Sequence, residues 1–194
     1  QNFRLQKSNP ALILATKYGN LVLPAPDGYG FNDCQSYYFS HMLNCVYDCR
    51  YCFLQGMYRS ANYVLFVNYE DFSESIGEKI KAENAPTVFY SGYDCDSLAL
   101  EPVSAFTNYF VPFFSSAHNA TLEIRTKSTQ IRNLLNSEAS PNIVIAMSFT
   151  LEEMADKWEH KVPSIDKRLA ALGRLQDQGW PVAIRFEPLI HQPG

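Results

Sequence analysis

The chain has 194 residues, of which 46% are hydrophobic and 19% charged, and it is rich in aromatic residues, with 13 phenylalanines and 12 tyrosines. Its formal net charge of −4 argues against a broad nucleic-acid-binding surface but allows a local basic groove. No apolar run approaches the ~18 residues that span a membrane. The N-terminal stretch lacks an apolar secretory core, so we expect a cytoplasmic protein. The length predicts a single domain over residues 1–194.

The amino-terminal part of the chain indicates strands on both sides of a cysteine-rich loop. Residues 11–26 contain two apolar runs around a turn-like Lys-Tyr-Gly-Asn sequence, which indicates a β-hairpin or a single initial strand. The cysteine-rich loop covers residues 44–56. Residues 62–72 are expected to form a short strand leading into a polar helix over residues 73–84. The compact apolar run at 87–92 then predicts a strand that ends in a glycine.

The central part repeats the alternation of helix and strand. Residues 97–119 have helical apolar spacing, although Pro102 and Pro112 are expected to start or break turns. Residues 122–126 indicate another strand. The segment after that strand predicts a short helix, with Ser128 as its N-cap.

The carboxyl-terminal part contains the clearest helix of the sequence. Residues 142–149 form a near-continuous apolar run, which is typical of a strand covered on both faces. Residues 164–179 predict a helix that Ser164 caps at its start and Gly179 ends. Its apolar stripe consists of Ile165, Leu169, Leu172 and Leu175. Residues 181–190 indicate the last strand.

This alternation of strands and helices predicts βα units with a parallel sheet, open or barrel-like. The chain stops straight after a strand with no partner helix, so we expect an incomplete C-terminal part. Chemistry in βα barrels sits at the carboxyl ends of the strands. The predicted strands place Gly92, Lys127 and Ser148 at or near such ends.

Three of the five cysteines, Cys45, Cys49 and Cys52, lie within one short loop. An odd number of cysteines without a secretion signal makes a disulfide framework a poor explanation. A tetrahedral zinc site needs a fourth ligand, for which His41 is a candidate. Three thiolates on a four-iron cluster instead leave one iron open to a group that is not protein. Cluster, zinc ion and unligated thiols are the alternatives, while Cys34 is expected to be a buried small hydrophobe. The four histidines show no metal-like spacing and are expected to face solvent or cap helices.

The cysteine spacing C-x3-C-x2-C, with Tyr51 just before the last cysteine, is that of the radical S-adenosylmethionine enzymes. Over most of its length the chain also resembles one family of these proteins, the spore photoproduct lyase family. The similar stretches are LATKYGNLV, CVYDCRYCFLQG, YVLFVNYEDF, SGYDCDSLALEP, RTKS, AMSF and RFEPLI.

The resemblance implies a fold, two cofactors and a reaction. The implied fold is a partial (β/α)6 barrel, TIM-like and of the radical S-adenosylmethionine type, with the cluster in the loop after the first strand. A 4Fe-4S cluster would bind S-adenosylmethionine and cleave it reductively to a 5′-deoxyadenosyl radical, with an electron from a donor such as flavodoxin or ferredoxin. The implied substrate is a thymine-dimer lesion in DNA, which would make the chain a carbon–carbon lyase of DNA repair. The alternatives are a different, non-DNA substrate and, from another class, a non-catalytic zinc-binding module.

The resemblance also implies which residues contact the cofactor. They are Tyr51, Gly92, Asp96, Ser97, Lys127, Ser148 and Arg185. Tyr51 would lie against the adenine, and Gly92 would let the backbone approach the methionine amino group. Lys127 is a point-charge donor suited to the cofactor carboxylate. The structural alternatives are a core tyrosine for Tyr51, a surface lysine for Lys127, and an ion pair with Glu187 for Arg185.

The implied catalytic residues are Cys95, Tyr93 and Tyr51. Repair members of the family carry a hydrogen-donating cysteine three residues before the aspartate of this motif, where this chain has Tyr93. Cys95 lies one residue before Asp96. The repair members also have a tyrosine directly after the third cluster cysteine, where this chain has Phe53. If the segment is extended, Cys95 points the same way as Tyr93 but about 6–7 Å further along the chain. We therefore expect lesion cleavage to be slow or absent.

Overall fold

The fold of the chain is known from a computed structural model that describes residues 6–26 and 34–190. Its strands are β1 (Leu12–Ala15), β2 (Val22–Pro24), β3 (Gln35–Phe39), β4 (Met42–Leu43), β5 (Asp48–Cys49), β6 (Tyr63–Phe66), β7 (Thr87–Ser91), β8 (Ala120–Thr126), β9 (Ile143–Phe149), β10 (Glu159–His160) and β11 (Val182–Phe186). Its helices are α1 (Leu54–Met57), α2 (Tyr69–Ala82), α3 (Glu101–Ser104), α4 (Phe106–Ser115), α5 (Arg132–Leu135), α6 (Glu152–Trp158) and α7 (Ile165–Asp177). Within the described ranges, none of the helices is long and apolar enough to cross a membrane.

The main sheet has six strands in the order β11-β9-β8-β7-β3-β2. Strands β3, β7, β8, β9 and β11 run parallel, and only β2 is antiparallel to its neighbour. The parallel pairing aligns the carboxyl ends of the strands, so that Arg185 on β11 lies opposite Ser148 on β9. The predicted parallel sheet of βα units is confirmed.

Two small sheets accompany the main sheet. In one, β6 lies between β1 and β4, and in the other β5 pairs with β10. Strand β1 pairs in parallel with β6, while β2 pairs with β3. The hairpin expected over residues 11–26 is therefore wrong, because its two apolar runs find their hydrogen-bonding partners in different sheets.

Two local expectations about the central segment are wrong. Pro102 lies in the first turn of α3, as a starting proline should, but Pro112 lies inside α4 without ending it. Ser128 is not the N-cap of α5, which begins at Arg132. The Ser128 hydroxyl instead accepts a bond from the Gln130 N–H (3.1 Å) and lies 3.2 Å from the Leu98 carbonyl oxygen, to which it donates. It therefore stabilises the loop before the helix.

The two faces of the main sheet carry different kinds of side chain, because successive side chains of a strand point to opposite faces. On β8 and β9, Leu122, Ile124, Ile145 and Met147 belong to the hydrophobic core and are fully buried. Helices α4 and α7 contact these strands. The intervening positions, such as Glu123, point to the opposite face. That face is therefore available for polar side chains.

Helix α7 buries a different stripe from the predicted one. Ser164 does cap its start by accepting the Lys167 N–H at 3.4 Å. Leu172 and Leu175 are buried as expected, but Leu169 is 46% exposed. Its place on the buried face is taken by Arg168, which is fully buried. A charged side chain thus lies where the sequence predicts a leucine.

His41 is fully buried, which contradicts the expectation that the histidines face solvent or cap helices. Its ring stacks on Phe106, with 4.2 Å between the ring centroids. Desolvation lowers the pKa of His41 from its ordinary 6.5 to about 3. The residue is therefore a neutral part of the core. His118 and His160 are exposed as expected, and His191 lies outside the described residues.

The burial of His41 predicts a pH-dependent loss of stability. In the unfolded chain the ring takes up a proton near its ordinary pKa of 6.5, whereas the folded chain resists protonation down to about pH 3. The free energy of unfolding should therefore fall as the pH is lowered through this window, by up to about 1.4 kcal/mol per pH unit from this residue. Urea unfolding of the metal-free protein at several pH values measures the slope.

The variant His41→Phe should lose this part of the slope, while His118→Phe, at an exposed site, should keep it. Parallel pH dependence in His41→Phe and the unsubstituted protein would contradict the assignment.

Candidate active site

A cavity of about 560 Å³ opens at the carboxyl end of the parallel strands. Most of the site residues implied by the resemblance line it, namely Cys45, Cys49, Tyr51, Cys52, Gly92, Tyr93, Cys95, Asp96, Lys127 and Ser148. Ser97 and Arg185 are not among the lining residues. The fold thus brings together four separate parts of the chain, as expected of strand ends in a parallel sheet.

The three loop cysteines lie on one wall of this cavity as free thiols. Asn44, with a left-handed φ of 68°, starts the loop. Its side-chain amide donates to the carbonyl oxygens of Ser60 (2.9 Å) and Asn62 (2.6 Å), which fixes that unusual turn. Desolvation raises the pKa of all three thiols, that of Cys49 to about 11. Because thiolates are the metal ligands, binding a metal here must release protons.

The donor set does not fit one metal ion. Within the described ranges, no three His, Cys, Asp or Glu side chains group as a single-ion site requires. His41, the candidate fourth zinc ligand, is buried in the core and does not line the cavity. A four-iron cluster places fewer demands on convergence, because each of three thiolates bonds a different iron. The thiols on this wall therefore fit the cluster better than zinc.

Gly92 occupies a position that only glycine fits. Its φ is +85°, a conformation that L side chains rarely adopt, and a Cβ atom would lie 2.6 Å from Ser97 Oγ and 2.8 Å from the Arg125 carbonyl oxygen. Ser97 is buried behind it, with its Oγ 2.8 Å from Ser91 Oγ. Ser97 thus supports the loop from outside the cavity.

Asp96 uses its carboxylate to shape the end of β8. One oxygen accepts the Leu98 N–H at 3.0 Å and the Thr126 hydroxyl at 2.6 Å. The other accepts the main-chain N–H of Lys127 at 2.6 Å. Desolvation raises the pKa of Asp96, although these bonds oppose the shift. Asp96 therefore fixes the position of the Lys127 main chain, from which the side chain extends.

Lys127 reaches into a group of buried polar side chains. Its Nζ lies 3.2 Å from Glu159 Oε1 and donates to the Glu187 carbonyl oxygen at 3.2 Å. Glu159 also accepts bonds from the Tyr51 hydroxyl and from Arg168. Sequence reasoning missed Glu159 and Arg168. The burial of Arg168 could have been predicted, since it lies on the helical stripe of Ile165 and Leu172. No feature of the sequence indicates that Glu159 belongs to the site.

Arg185 is part of an ion-pair network on the polar face of the sheet. Its Nε donates to Glu123 Oε1 at 2.8 Å, and its Nη1 lies 3.7 Å from Glu187 Oε1. Arg125 shares the same two carboxylates, at 3.0 Å from Glu123 and 3.7 Å from Glu187. These contacts favour the structural alternative for Arg185.

Tyr93 and Cys95 both line the cavity, but not as an extended segment. Residues 92–98 form a series of bends after β7, so the premise of a straight segment is wrong. The Tyr93 ring lies 4.4 Å from that of Tyr38 and 5.7 Å from that of Phe53, centroid to centroid. Cys95 is 5% exposed, and burial raises its pKa. Cys34, expected to be buried, is only partly so.

Comparison with known proteins relates the chain to one protein family. A statistical model of the spore photoproduct lyase family matches residues 33–194. The chain is 23% identical over 152 residues to the spore photoproduct lyase of Bacillus subtilis, covering 76% of this chain and 44% of that protein. It is 22% identical over 154 residues to that of a Geobacillus species, covering 77% and 45%. The chain thus spans about half the length of the curated relatives it matches.

Solved structures of spore photoproduct lyase share the fold. A mutant with a dinucleoside spore photoproduct superposes with a TM-score of 0.87 at 18% identity, covering 98% of this chain and 54% of that chain. A mutant with bound AdoMet and the same dinucleoside gives 0.80 at 18% identity, covering 94% and 53%. The expected α/β fold, a partial TIM-like barrel, is confirmed.

The environment of Gly92 predicts a strong effect of adding a methyl group. Gly92→Ala should lower the free energy of unfolding by at least about 1–3 kcal/mol, because alanine is strained at this φ and its Cβ would contact Ser97 and Arg125. Gly77→Ala is the matched control: this glycine lies within α2 with open space around it and should raise stability by about 0.5–1 kcal/mol. Equal effects in chemical unfolding would refute the assigned constraint.

Proposed function

We propose that this chain, which belongs to the spore photoproduct lyase family, is a radical S-adenosylmethionine domain over residues 1–194 that binds a 4Fe-4S cluster through Cys45, Cys49 and Cys52. The observation that carries the proposal is the position of three free thiols on one wall of a cavity that also exposes Lys127. A reductive cleavage of S-adenosylmethionine that starts radical chemistry is the activity that fits this wall and this family.

When bound, the cluster and S-adenosylmethionine would supply a radical, formed by one-electron reductive cleavage of a sulfur–carbon bond, that abstracts hydrogen from a substrate. The chain's own residues bind, orient and shield. Gly92 would let the main chain approach the methionine amino group, and the Ser148 hydroxyl would offer a neutral hydrogen bond. The Tyr51 hydroxyl donates to Glu159, and its ring would contact the adenine.

Lys127 is suited to the carboxylate of S-adenosylmethionine because one of its donors is left over. An ammonium group has three N–H donors. Two of them are directed at Glu159 Oε1 and at the Glu187 carbonyl oxygen, both at 3.2 Å. The third is available to the cavity that Lys127 lines. A charge-assisted bond from this group would hold the cofactor in a fixed orientation.

For the substrate we propose a thymine-dimer lesion in DNA. Three solved structures of spore photoproduct lyase hold a dinucleoside spore photoproduct. Phe53 and Tyr93 add support, since their rings lie 5.7 Å apart on the cavity wall and Phe53 is 56% exposed. Aromatic surfaces of this kind stack on bases, and a damaged base leaves its duplex at reduced cost.

A different, non-DNA substrate is the second candidate, and two departures from the pattern of the repair members favour it. Tyr93 stands at the position where repair members of the family carry their hydrogen-donating cysteine, and Phe53 replaces the tyrosine after the third cluster cysteine. Both departures concern the group that ends the radical reaction. They leave the three loop cysteines, Cys45, Cys49 and Cys52, unchanged.

The chemistry also bears on partner and location. A cluster that gives up one electron per turnover needs a reducing partner, for which we propose flavodoxin or ferredoxin. All five cysteines are free thiols. Free thiols persist in a reducing compartment, so a cytoplasmic location is part of the proposal.

The cysteine wall predicts a defined metal content. Anaerobic reconstitution should give about four irons and four sulfides per chain, measured by iron and sulfide analysis. Replacement of Cys45, Cys49 or Cys52 with alanine should abolish the cluster because each thiolate bonds its own iron. Cys34→Ala, outside the cavity wall, should keep it. Stoichiometric zinc without iron would contradict the proposal.

Cys95 generates a second prediction, on the end of the radical reaction. Cys95→Ala should leave S-adenosylmethionine cleavage without substrate intact, because the thiol lies away from the loop cysteines in sequence and is not a cluster ligand in this proposal. Cleavage of a dinucleoside spore photoproduct should be slow in the unsubstituted protein, because Tyr93 stands where repair members of the family carry their hydrogen-donating cysteine. Chromatography of 5′-deoxyadenosine and thymine products measures both. Fast lesion cleavage that Cys95→Ala abolishes would show that Cys95 is the hydrogen donor.

A further inference from the structure

We infer that Glu159 is a positioning residue of the active site, which holds the cysteine loop in place and aims the Lys127 ammonium at the cavity. Glu159 lies on β10, far from the loop in sequence. The part of this inference that concerns S-adenosylmethionine rests on the proposed function. The part that concerns the loop does not.

The main chain around Glu159 is joined to the cysteine loop. Strand β10 pairs with β5 so that Glu159 lies opposite Cys49. A further bond runs from the Arg50 N–H to the Trp158 carbonyl oxygen at 2.8 Å. The loop between the second and third cysteines is thus attached to the segment that connects α6 with α7. A two-residue pairing of this kind is weak alone and depends on side chains for its stability.

The Glu159 carboxylate supplies that stability through three contacts. Oε1 accepts a bond from the Tyr51 hydroxyl and lies 3.2 Å from Lys127 Nζ. Oε2 accepts a bond from Arg168 Nη2 at 2.8 Å. The side chain is 1% exposed, so the contacts are made away from water. One carboxylate therefore connects the cysteine loop, the end of β8 and helix α7.

Arg168 fixes this carboxylate from behind. It is fully buried, and its Nη1 donates to the Ser148 carbonyl oxygen at 2.8 Å. Its guanidinium lies over the Phe149 ring at 5.4 Å. Both contacts are at the end of β9, next to the cavity. The position of Glu159 is therefore set by the sheet itself.

The charges explain why a carboxylate is needed. Glu159 stands between two cations, Lys127 and Arg168, and removal of one partner from a buried ionic group leaves the others uncompensated. Glu159→Gln keeps the size of the side chain but replaces one acceptor oxygen by a donating amide. Lys127 and Arg168 would then face each other without a carboxylate between them. We expect the Lys127 ammonium to turn away from its position.

A double-mutant cycle tests whether Glu159 acts through Lys127. S-adenosylmethionine affinity is measured on the cluster-loaded chain for the unsubstituted protein, Glu159→Gln, Lys127→Ala and the double variant. Glu159→Gln should weaken binding roughly tenfold, the effect of one charge-assisted bond, at unchanged iron content. In the Lys127→Ala background the same change should cost less than about twofold, since the group it acts on is gone.

Glu153→Gln is the matched control, an identical change at an exposed site on α6, and should bind like the unsubstituted protein. Losses from Glu159→Gln and Lys127→Ala that simply multiply, in variants compared at equal iron content, would overturn the action of Glu159 through Lys127.

Hydrogen exchange of the cysteine loop provides a readout that needs no cofactor. In the full chain as purified, Glu159→Gln and Tyr51→Phe should both speed exchange over residues 46–52 and leave α2 unchanged. Unchanged exchange in both variants would overturn the inference whether or not the chain binds S-adenosylmethionine. Faster exchange in a chain that binds no cluster would uphold the loop anchor and reject the proposed function.

Discussion

The ion pair between Glu159 and Arg168 anchors the cysteine loop, because Tyr51, 108 residues before Glu159 in the chain, donates its hydroxyl to the same carboxylate. Its atoms are 2.8 Å apart and both side chains are 1% exposed. Two charges buried in this way are stabilising only when their remaining hydrogen-bonding capacity is used. Here Arg168 Nη1 donates to Ser148, and Glu159 Oε1 is contacted by Tyr51 and Lys127, while the buried Arg168 Nε has no partner among the described residues. The cysteine loop, which has little regular structure of its own, is thereby attached to the parallel sheet.

The main sheet has an apolar face, which forms the core, and a polar face, which carries charged side chains. One face carries the aromatic and aliphatic core that helices cover, and the other carries Glu123, Arg125 and Arg185 in one ion-pair network. Parallel strands end together, so Lys127 after β8 and Ser148 on β9 reach one cavity. Phe53, directly after Cys52, and Tyr93, directly after Gly92, line the same cavity.

Much of this arrangement could be predicted from sequence, and the exceptions have physical causes. The apolar runs of β7, β8 and β9 made the parallel sheet predictable, and the cysteine spacing pointed to the cluster loop. The apolar runs at 11–26 suggested a hairpin, because local pattern does not say which strand a run will pair with. The role of Glu159 could not be predicted for a similar reason, since the residues that contact it lie in three separate segments: the end of β8, helix α7 and the cysteine loop. His41 was misjudged because a histidine stacked on Phe106 has no sequence signature.

The central claim, that the cysteine wall holds a four-iron cluster with one iron open to S-adenosylmethionine, is tested most directly by electron paramagnetic resonance. The spectrum of the anaerobically reconstituted and reduced protein is recorded with and without S-adenosylmethionine. The account predicts the signal of a reduced 4Fe-4S cluster whose g values change when S-adenosylmethionine is added, because the cofactor then ligates the open iron. A cluster signal that S-adenosylmethionine leaves unchanged, or no cluster signal at all, would contradict it.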